Sequence, residues 1–277
     1  YGFYGGWRDC CCGTDIRFAF RRLGSDASFQ STDPGAVFPA ELAVDTSPGS
    51  FVQGSADVDL QNYDLGCSKT IPLGGPLCCD CGDCCGCGDG CGCGDCCGAW
   101  CPAYDITYSA GLRYADVDWS TGYQQFEGAL DAITRTYGQR MEFDGWDARF
   151  GLEGRRYFGR CGTISVFLKG DVSLLCGDVE ITAERLDIPS QVLDREVYRV
   201  KNIIPVTEIE AGITGHLTRN ITVSGGYFLS AWHDLGMRPD HEFNDAGGTP
   251  SSLAIDSFDD GNILGFDGFF ARAEIAY

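Results

Sequence analysis

The stretch "GFDGFFARAEIAY" alternates strictly. Phe269, Ala271, Ala273, Ile275 and Tyr277 fall on one face of an extended strand, with Gly268, Phe270, Arg272 and Glu274 on the other. In "VTEIEAGITGHL", Ile209, Ala211, Ile213 and Leu217 oppose Glu208, Glu210, Thr214 and His216. In "TISVFLKGDVSLL", Ile164, Val166, Leu168, Val172 and Leu174 oppose Lys169, Asp171 and Ser173. "ITVSGGYFLSAW", "GWDARFGLEGRRYFG", "YDITYSAGLRYADVDW" and "DIRFAFRR" repeat the pattern, "DLQNYDLGC" follows it more weakly, and the Gly-rich "YGFYGGWRDC" completes the set. A period of two repeated this often, with no competing helical stretch, predicts an all-β chain.

A soluble sandwich alternates too, but its polar face looks outward to water. Here charged residues oppose small and aromatic ones in segments of roughly ten residues separated by turns, the pattern of a transmembrane antiparallel β-barrel. Nine segments can be counted. An antiparallel barrel closes evenly, so about ten strands are expected, with eight as the alternative. Connections read as alternately short and long. Those at 24–54, 119–140, 184–197 and 235–262 are long and fall on the outer side; those at 11–14, 158–162 and 218–220 are short. Aromatic belts are expected at both interfaces, with Trp119, Tyr123, Trp146, Tyr198 and Trp232 outside and Tyr104, Tyr157, Phe158 and Tyr277 inside. Three segments follow: barrel strands in 1–67, an insertion at 68–102, and the remaining strands in 103–277.

The quoted segments "GLRYADVDW", "FGLEGRRYFG", "VTEIEAGIT", "SGGYFLSAWHDLG" and "FDGFFARAEIAY" resemble the Legionella-type pore-forming outer-membrane protein family. The resemblance covers most of 104–277, with a fainter match near the start. It implies an outer-membrane barrel described as pore-forming, and no catalytic residues.

The insertion reads "CCDCGDCCGCGDGCGCGDCCG" from Cys78 to Gly98. With strand directions assigned, it is expected on the periplasmic side together with the other thiols, so that Cys10, Cys11, Cys12, Cys67, Cys78, Cys79, Cys81, Cys84, Cys85, Cys87, Cys91, Cys93, Cys96, Cys97, Cys101 and Cys161 gather at one rim. Only Cys176 is left near the outer end of its strand. An oxidising compartment favours a disulfide-laced cap. The C-x-x-C spacings keep zinc or an iron–sulfur cluster open as the rival, and otherwise no cofactor is expected.

The inward positions are Arg17, Arg21, Arg113, Asp147, Arg149, Glu153, Arg155, Lys169, Asp171, Glu208, Glu210, Arg272 and Glu274. Arg113, Arg149, Arg155 and Arg272 are each expected beside a carboxylate, because an unpaired charge in so narrow an interior is costly. Eight to ten strands leave an interior that side chains nearly fill. The functional expectation is therefore a narrow pore or porin-like protein with a disulfide-bonded cap. The alternative is a structural unit of the cell envelope cross-linked through the Cys-rich segment, facing outer-membrane lipid and either a second copy or a periplasmic partner. A net charge of −20 excludes nucleic acid as a partner. No nucleophile elbow, zincin helix or phosphate loop occurs, so no enzyme is expected. His233, His241, Asp234 and Asp240 are read as ordinary rim residues over a barrel hydrolase, and Asp256, Asp259, Asp260 and Asn262 as a solvated turn over a calcium loop.

Overall fold

The computed structural model describes residues 1–9, 14–31, 51–76, 102–127, 132–158, 163–187, 192–218, 221–235, 239–243, 253–258 and 263–275. Every regular element among them is a strand: β1 (Gly2–Asp9), β2 (Thr14–Ser31), β3 (Phe51–Pro76), β4 (Pro102–Glu127), β5 (Ala132–Phe158), β6 (Ile164–Asp187), β7 (Val192–His216), β8 (Ile221–His233), β9 (Pro239–Phe243), β10 (Leu253–Phe258) and β11 (Ile263–Ile275). Nine form one antiparallel sheet in the order β1-β2-β3-β4-β5-β6-β7-β8-β11, and β9 with β10 form a separate ribbon. Sheet neighbours are sequence neighbours except where the ribbon intervenes, as in an up-and-down meander.

The sheet curls on itself. Arg21 on β2 bonds Glu208 and Glu210 on β7, and the Arg272 guanidinium on β11 lies 5.7 Å from the Tyr4 ring centre on β1. β1 and β11 share no ladder, so both are edges of the described sheet. Because the strands alternate in direction, these two edges run the same way.

The strands are taller than the alternation suggested. The expected long connections at 119–140 and 184–197 are not loops: β4 runs on to Glu127 and β5 starts at Ala132, while β6 runs to Asp187 and β7 starts at Val192. Likewise β2 reaches Ser31, and β3 continues past Cys67 to Pro76. Of 235–262, two stretches are the ribbon strands.

Strands of 24 to 27 residues, β3 to β7, far exceed the roughly nine to eleven needed to cross a bilayer, and the surplus has a different character. In the half of the sheet near the β3–β4 and β5–β6 connections, the convex face is apolar. Leu168 is 61% exposed there and Trp146 66%, alongside Ile106, Tyr108, Leu112, Leu152 and Ile213. In the other half the faces exchange roles. The convex face carries Asp116, Asp144 and Asp178 side by side in register, then Asp118, Glu142 and Glu180. The concave face there carries Leu60, Val117, Phe143 and Val179, again in register across β3 to β6. These four join Met141, Leu175, Ile181, Ile204, Val206, Trp232 and Leu235 in one buried cluster, each at most 1% exposed. Burying each such side chain favours folding by about 1.5–3 kcal/mol.

The exchange happens where two consecutive residues are apolar, as in Leu174–Leu175 on β6 and Ile203–Ile204 on β7. The first of each pair faces out and the second is buried. Phe143 completes the filled half by lying flat over two glycines: a Cβ on Gly145 would sit 2.5 Å from its Cζ, and one on Gly177 would sit 2.7 Å from its Cε2.

This arrangement corrects the expected outer aromatic belt. Trp232 is fully buried in the concave cluster and Trp119 packs against it. Tyr123 stacks with the buried Tyr137 instead of standing on the convex face. Trp146 does stand on that face, in register with Tyr114, which is in register with Tyr63. At the other end Tyr104 and Phe158 are exposed, whereas Tyr157 turns inward to donate to Asp105 Oδ2 at 2.8 Å.

Candidate functional site

Below the apolar cluster the concave face is ionic. Alternation places one charged side chain from each of several strands at neighbouring heights, and the curl brings them together. Arg113 on β4 is 1% exposed and is the hub. Its Nε donates to Asp64 Oδ1 at 2.7 Å, and its Nη2 donates to Glu208 Oε2 at 2.7 Å. Arg149 on β5 pairs with Asp171 at 2.8 Å and Asp64 at 3.3 Å. Lys169 also reaches Asp171, at 2.9 Å. Arg21 spans Glu208 at 2.9 Å and Glu210 at 3.2 Å, and Arg272 meets Glu210 at 3.2 Å. Strands β2, β3, β4, β5, β6, β7 and β11 are thereby tied by one network.

Nearer the rim, Arg155 pairs with Glu153 at 2.7 Å and Arg17 with Asp15 at 2.7 Å. Each of the four arginines expected beside a carboxylate has one. Two of these four, and Arg21 besides, also sit near aromatic rings: Arg21 over Phe228 at 4.6 Å, Arg155 over Phe167 at 5.5 Å and Arg272 over Phe270 at 5.2 Å. Such stacking suits a guanidinium, whose flat face is weakly hydrated.

Two expected inward residues behave differently. Asp147 has no basic partner among the described residues; its Oδ1 accepts from Ala148 N at 2.5 Å and its Oδ2 from Cys176 Sγ at 3.3 Å, where the β5–β6 ladder is interrupted. Glu274 lies on the concave side but is exposed near the end of β11. Members absent from the sequence-derived set are Asp15, Asp64 and Asp105, at the concave positions before Ile16, Leu65 and Ile106. The outward neighbour signalled each of them, weakly for Asp64 because "DLQNYDLGC" alternates poorly.

Several buried polar atoms of this layer have no hydrogen-bond partner among the described residues: both amide atoms of Asn62, Ser68 Oγ, Ser173 Oγ, Thr214 Oγ1, Arg149 Nε and Asp171 Oδ1. Buried polar atoms left without a protein partner are the kind that bridging water satisfies.

Of the cysteines, only Cys67 and Cys176 are among the described residues, both as exposed thiols. Cys67 had been expected at the rim. Because β3 continues to Pro76, it lies instead on the convex face, in register with Ile16 and Ala110. Cys176 is likewise mid-strand, opposite Trp146 and Ile203. Cys10, Cys11, Cys12, Cys78, Cys79, Cys81, Cys84, Cys85, Cys87, Cys91, Cys93, Cys96, Cys97, Cys101 and Cys161 lie outside the described residues, as do Asp259, Asp260 and Asn262.

Among the described residues, no group of three or more His, Cys, Asp or Glu side chains is placed to hold a metal ion. His233 Nε2 and Thr207 Oγ1 are 3.4 Å apart, and Asp234 adopts a positive φ of 59° with its carbonyl accepting from Asn202 Nδ2. His241 and Asp240 are on β9, in register with Ile255 and Ser257 of β10. No protein-family model and no curated protein matches the chain.

Proposed function

We propose that the protein is a membrane β-barrel of a bacterial outer membrane whose interior is plugged, serving the envelope as a structural element and not as an open channel. The observation that carries this reading is the exchange of faces. The apolar convex band from Tyr104 to Tyr114 on β4, and from Ile164 to Leu174 on β6, matches the length needed to cross hydrocarbon. Beyond it the convex face turns acidic while the interior turns apolar, as in a water-exposed β-structure with its own core. In the band the charges are inside, where the network of Arg113 neutralises them.

Two parallel edges favour closure through one further strand running opposite to β1 and β11, which would make the even number that an antiparallel barrel requires. The strand ends Asp9, Thr14, Pro76, Pro102, Phe158 and Ile164 all fall at one end of the sheet. The cysteine-bearing connections between them are therefore read as meeting at one rim, in a disulfide-laced cap. Bridge mapping by mass spectrometry with metal analysis tests that cap; free thiols with stoichiometric zinc or iron would replace it by a metal site.

The test of the plugged barrel has two arms. Brominated lipids should quench the native fluorescence, with most of the quenching lost when the two exposed convex-face tryptophans, Trp7 and Trp146, are both replaced by Phe, and little lost in Trp232→Phe. Planar bilayers containing the protein should show no discrete conductance steps. A second reading, a narrow pore, is favoured by the unpartnered polar atoms around Asn62 and Ser173, which call for water. Reproducible steps would establish the pore and overturn the plug.

A further inference from the structure

Where the apolar band ends, the convex face carries an open depression of about 280 Å³. Phe18, Tyr63, Leu65, Leu112, Tyr114 and Trp146 line it, and each is at least 38% exposed. Its wall toward the acidic half is an aromatic row across β2 to β5. Phe20, Tyr63, Tyr114 and Trp146 are successive register partners, with ring centres 4.9 Å apart in the first pair and 6.0 Å in the second.

Two residues further along their strands stand Asp116, Asp144 and Asp178, all exposed. The next acids out are Asp59, Asp118, Glu142 and Glu180, and each of these is met by an arginine: Arg22, Arg140 or Arg199. The nearer three have no ionic partner among the described residues, and Asp116 feels mainly burial and other carboxylates. Lys201, in register with Asp178, is exposed and forms no ion pair among the described residues. The acids left unmatched are thus the ones beside the aromatic row.

We propose that the depression seats a phospholipid bearing a primary amine, with an acyl chain against Leu65, Leu112 and the rings and the ammonium on the row of Asp116, Asp144 and Asp178. The proposal rests on the membrane reading, which puts lipid on this face. Charge complementarity selects the headgroup. A primary ammonium donates three hydrogen bonds, and the row offers carboxylates at intervals of about 4.8 Å, the spacing of paired strands. Aromatic faces alongside favour a cation. Lys201 supplies a base for the phosphate of the same lipid. A choline headgroup has the charge but no N–H to give, and a glycerol headgroup sets an uncompensated phosphate against the acids.

The experiment reconstitutes the protein in phosphatidylcholine vesicles with EDTA and adds a minor share of lipid with brominated chains, carrying an ethanolamine, choline or glycerol headgroup. The part of the quenching that Trp146→Phe removes reports lipid at the depression. The ethanolamine lipid should associate about threefold or more strongly than the choline lipid, and the glycerol lipid more weakly than either. Asp116→Asn, Asp144→Asn and Asp178→Asn combined should bring the ethanolamine and choline values together. Asp26→Asn with Asp57→Asn, on the same face but further from the band, should leave the preference in place. Unchanged far-UV circular dichroism checks that each variant folds. Equal quenching by all three headgroups, a preference that survives the triple change, or one lost equally in the Asp26 and Asp57 variant would overturn the proposal. So would selectivity for the glycerol lipid that arises only when magnesium replaces EDTA, which would make the row a divalent-cation bridge. Quenching of Trp146 by none of the three lipids would overturn the membrane reading itself, and the proposal with it.

Discussion

Arg113 shows what a single residue does in this interior. Buried between Asp64 and Glu208, it keeps two carboxylates from facing each other in a poorly hydrated space. Arg113→Met should therefore cost about 3–5 kcal/mol of folding stability, the range for breaking a buried ion pair from one side. Urea unfolding in micelles measures it. Removing Arg140, exposed and paired with Asp118 and Glu142 on the convex face, should cost under about 1 kcal/mol by the same assay. Asp116, beyond the apolar band, presents the opposite case. Partial burial and then the neighbouring Asp144, Asp118 and Asp59 raise its pKa above the ordinary aspartate value. The folded protein thus holds a proton more tightly than the unfolded chain, and stability falls as pH rises from the unfolded value through the folded one. Asp116→Asn should stabilise the protein by about 0.2–1 kcal/mol at neutral pH, the scale for like charges on paired strands. The gain should vanish in acid, where both proteins are neutral at this position. A pH series of unfolding midpoints checks both parts.

At the level of the strand, the decisive property is a shift of phase within one element. β6 keeps its apolar residues outward as far as Leu174 and inward from Leu175. Leu168→Arg on the outward band should reduce folding into bilayers, costing about 2–4 kcal/mol if the site is near mid-membrane. Thr182→Arg, on the same convex face of the same strand beyond the shift, should cost little. Folding yields into lipid vesicles distinguish the two. Gly177→Ala tests the close approach of β5 and β6 there: its Cβ would overlap the Asp144 carbonyl oxygen and stand 2.7 Å from the Phe143 ring, so a loss of about 1–3 kcal/mol is expected from overpacking.

The phase shift also explains what could be read beforehand. Strict alternation around Leu168 and Ile209 identified the strands and the facing of Arg113, Arg149 and Glu208. Past Leu174–Leu175 and Ile203–Ile204 the alternation continues with its faces swapped, and polar residues such as Glu180, Glu184 and Arg199 then resemble loop residues. No periodicity within one strand reports which face is wet. That depends on how the sheet curls, which only contacts such as Arg21 with Glu208 reveal. The thiols followed the same logic: the alternation was too weak around Cys67 to show that the strand goes on.

For the molecule as a whole, the swapped faces act as a draught mark. Three carboxylates, Asp116, Asp144 and Asp178, stand in one register immediately beyond the aromatic and apolar row of Tyr114, Trp146 and Ile203. If the proposed membrane seating holds, sinking the protein by one pair of residues, roughly 7 Å along a strand, would immerse all three in hydrocarbon. Raising it by as much would lift that row into water. On that reading the flotation level is set from the acidic side, and a thinner or thicker bilayer would have to be accommodated at the opposite rim. The end of the sheet at Pro76 and Pro102, with Lys69, Tyr104 and Phe158 on its convex surface, would take up that difference.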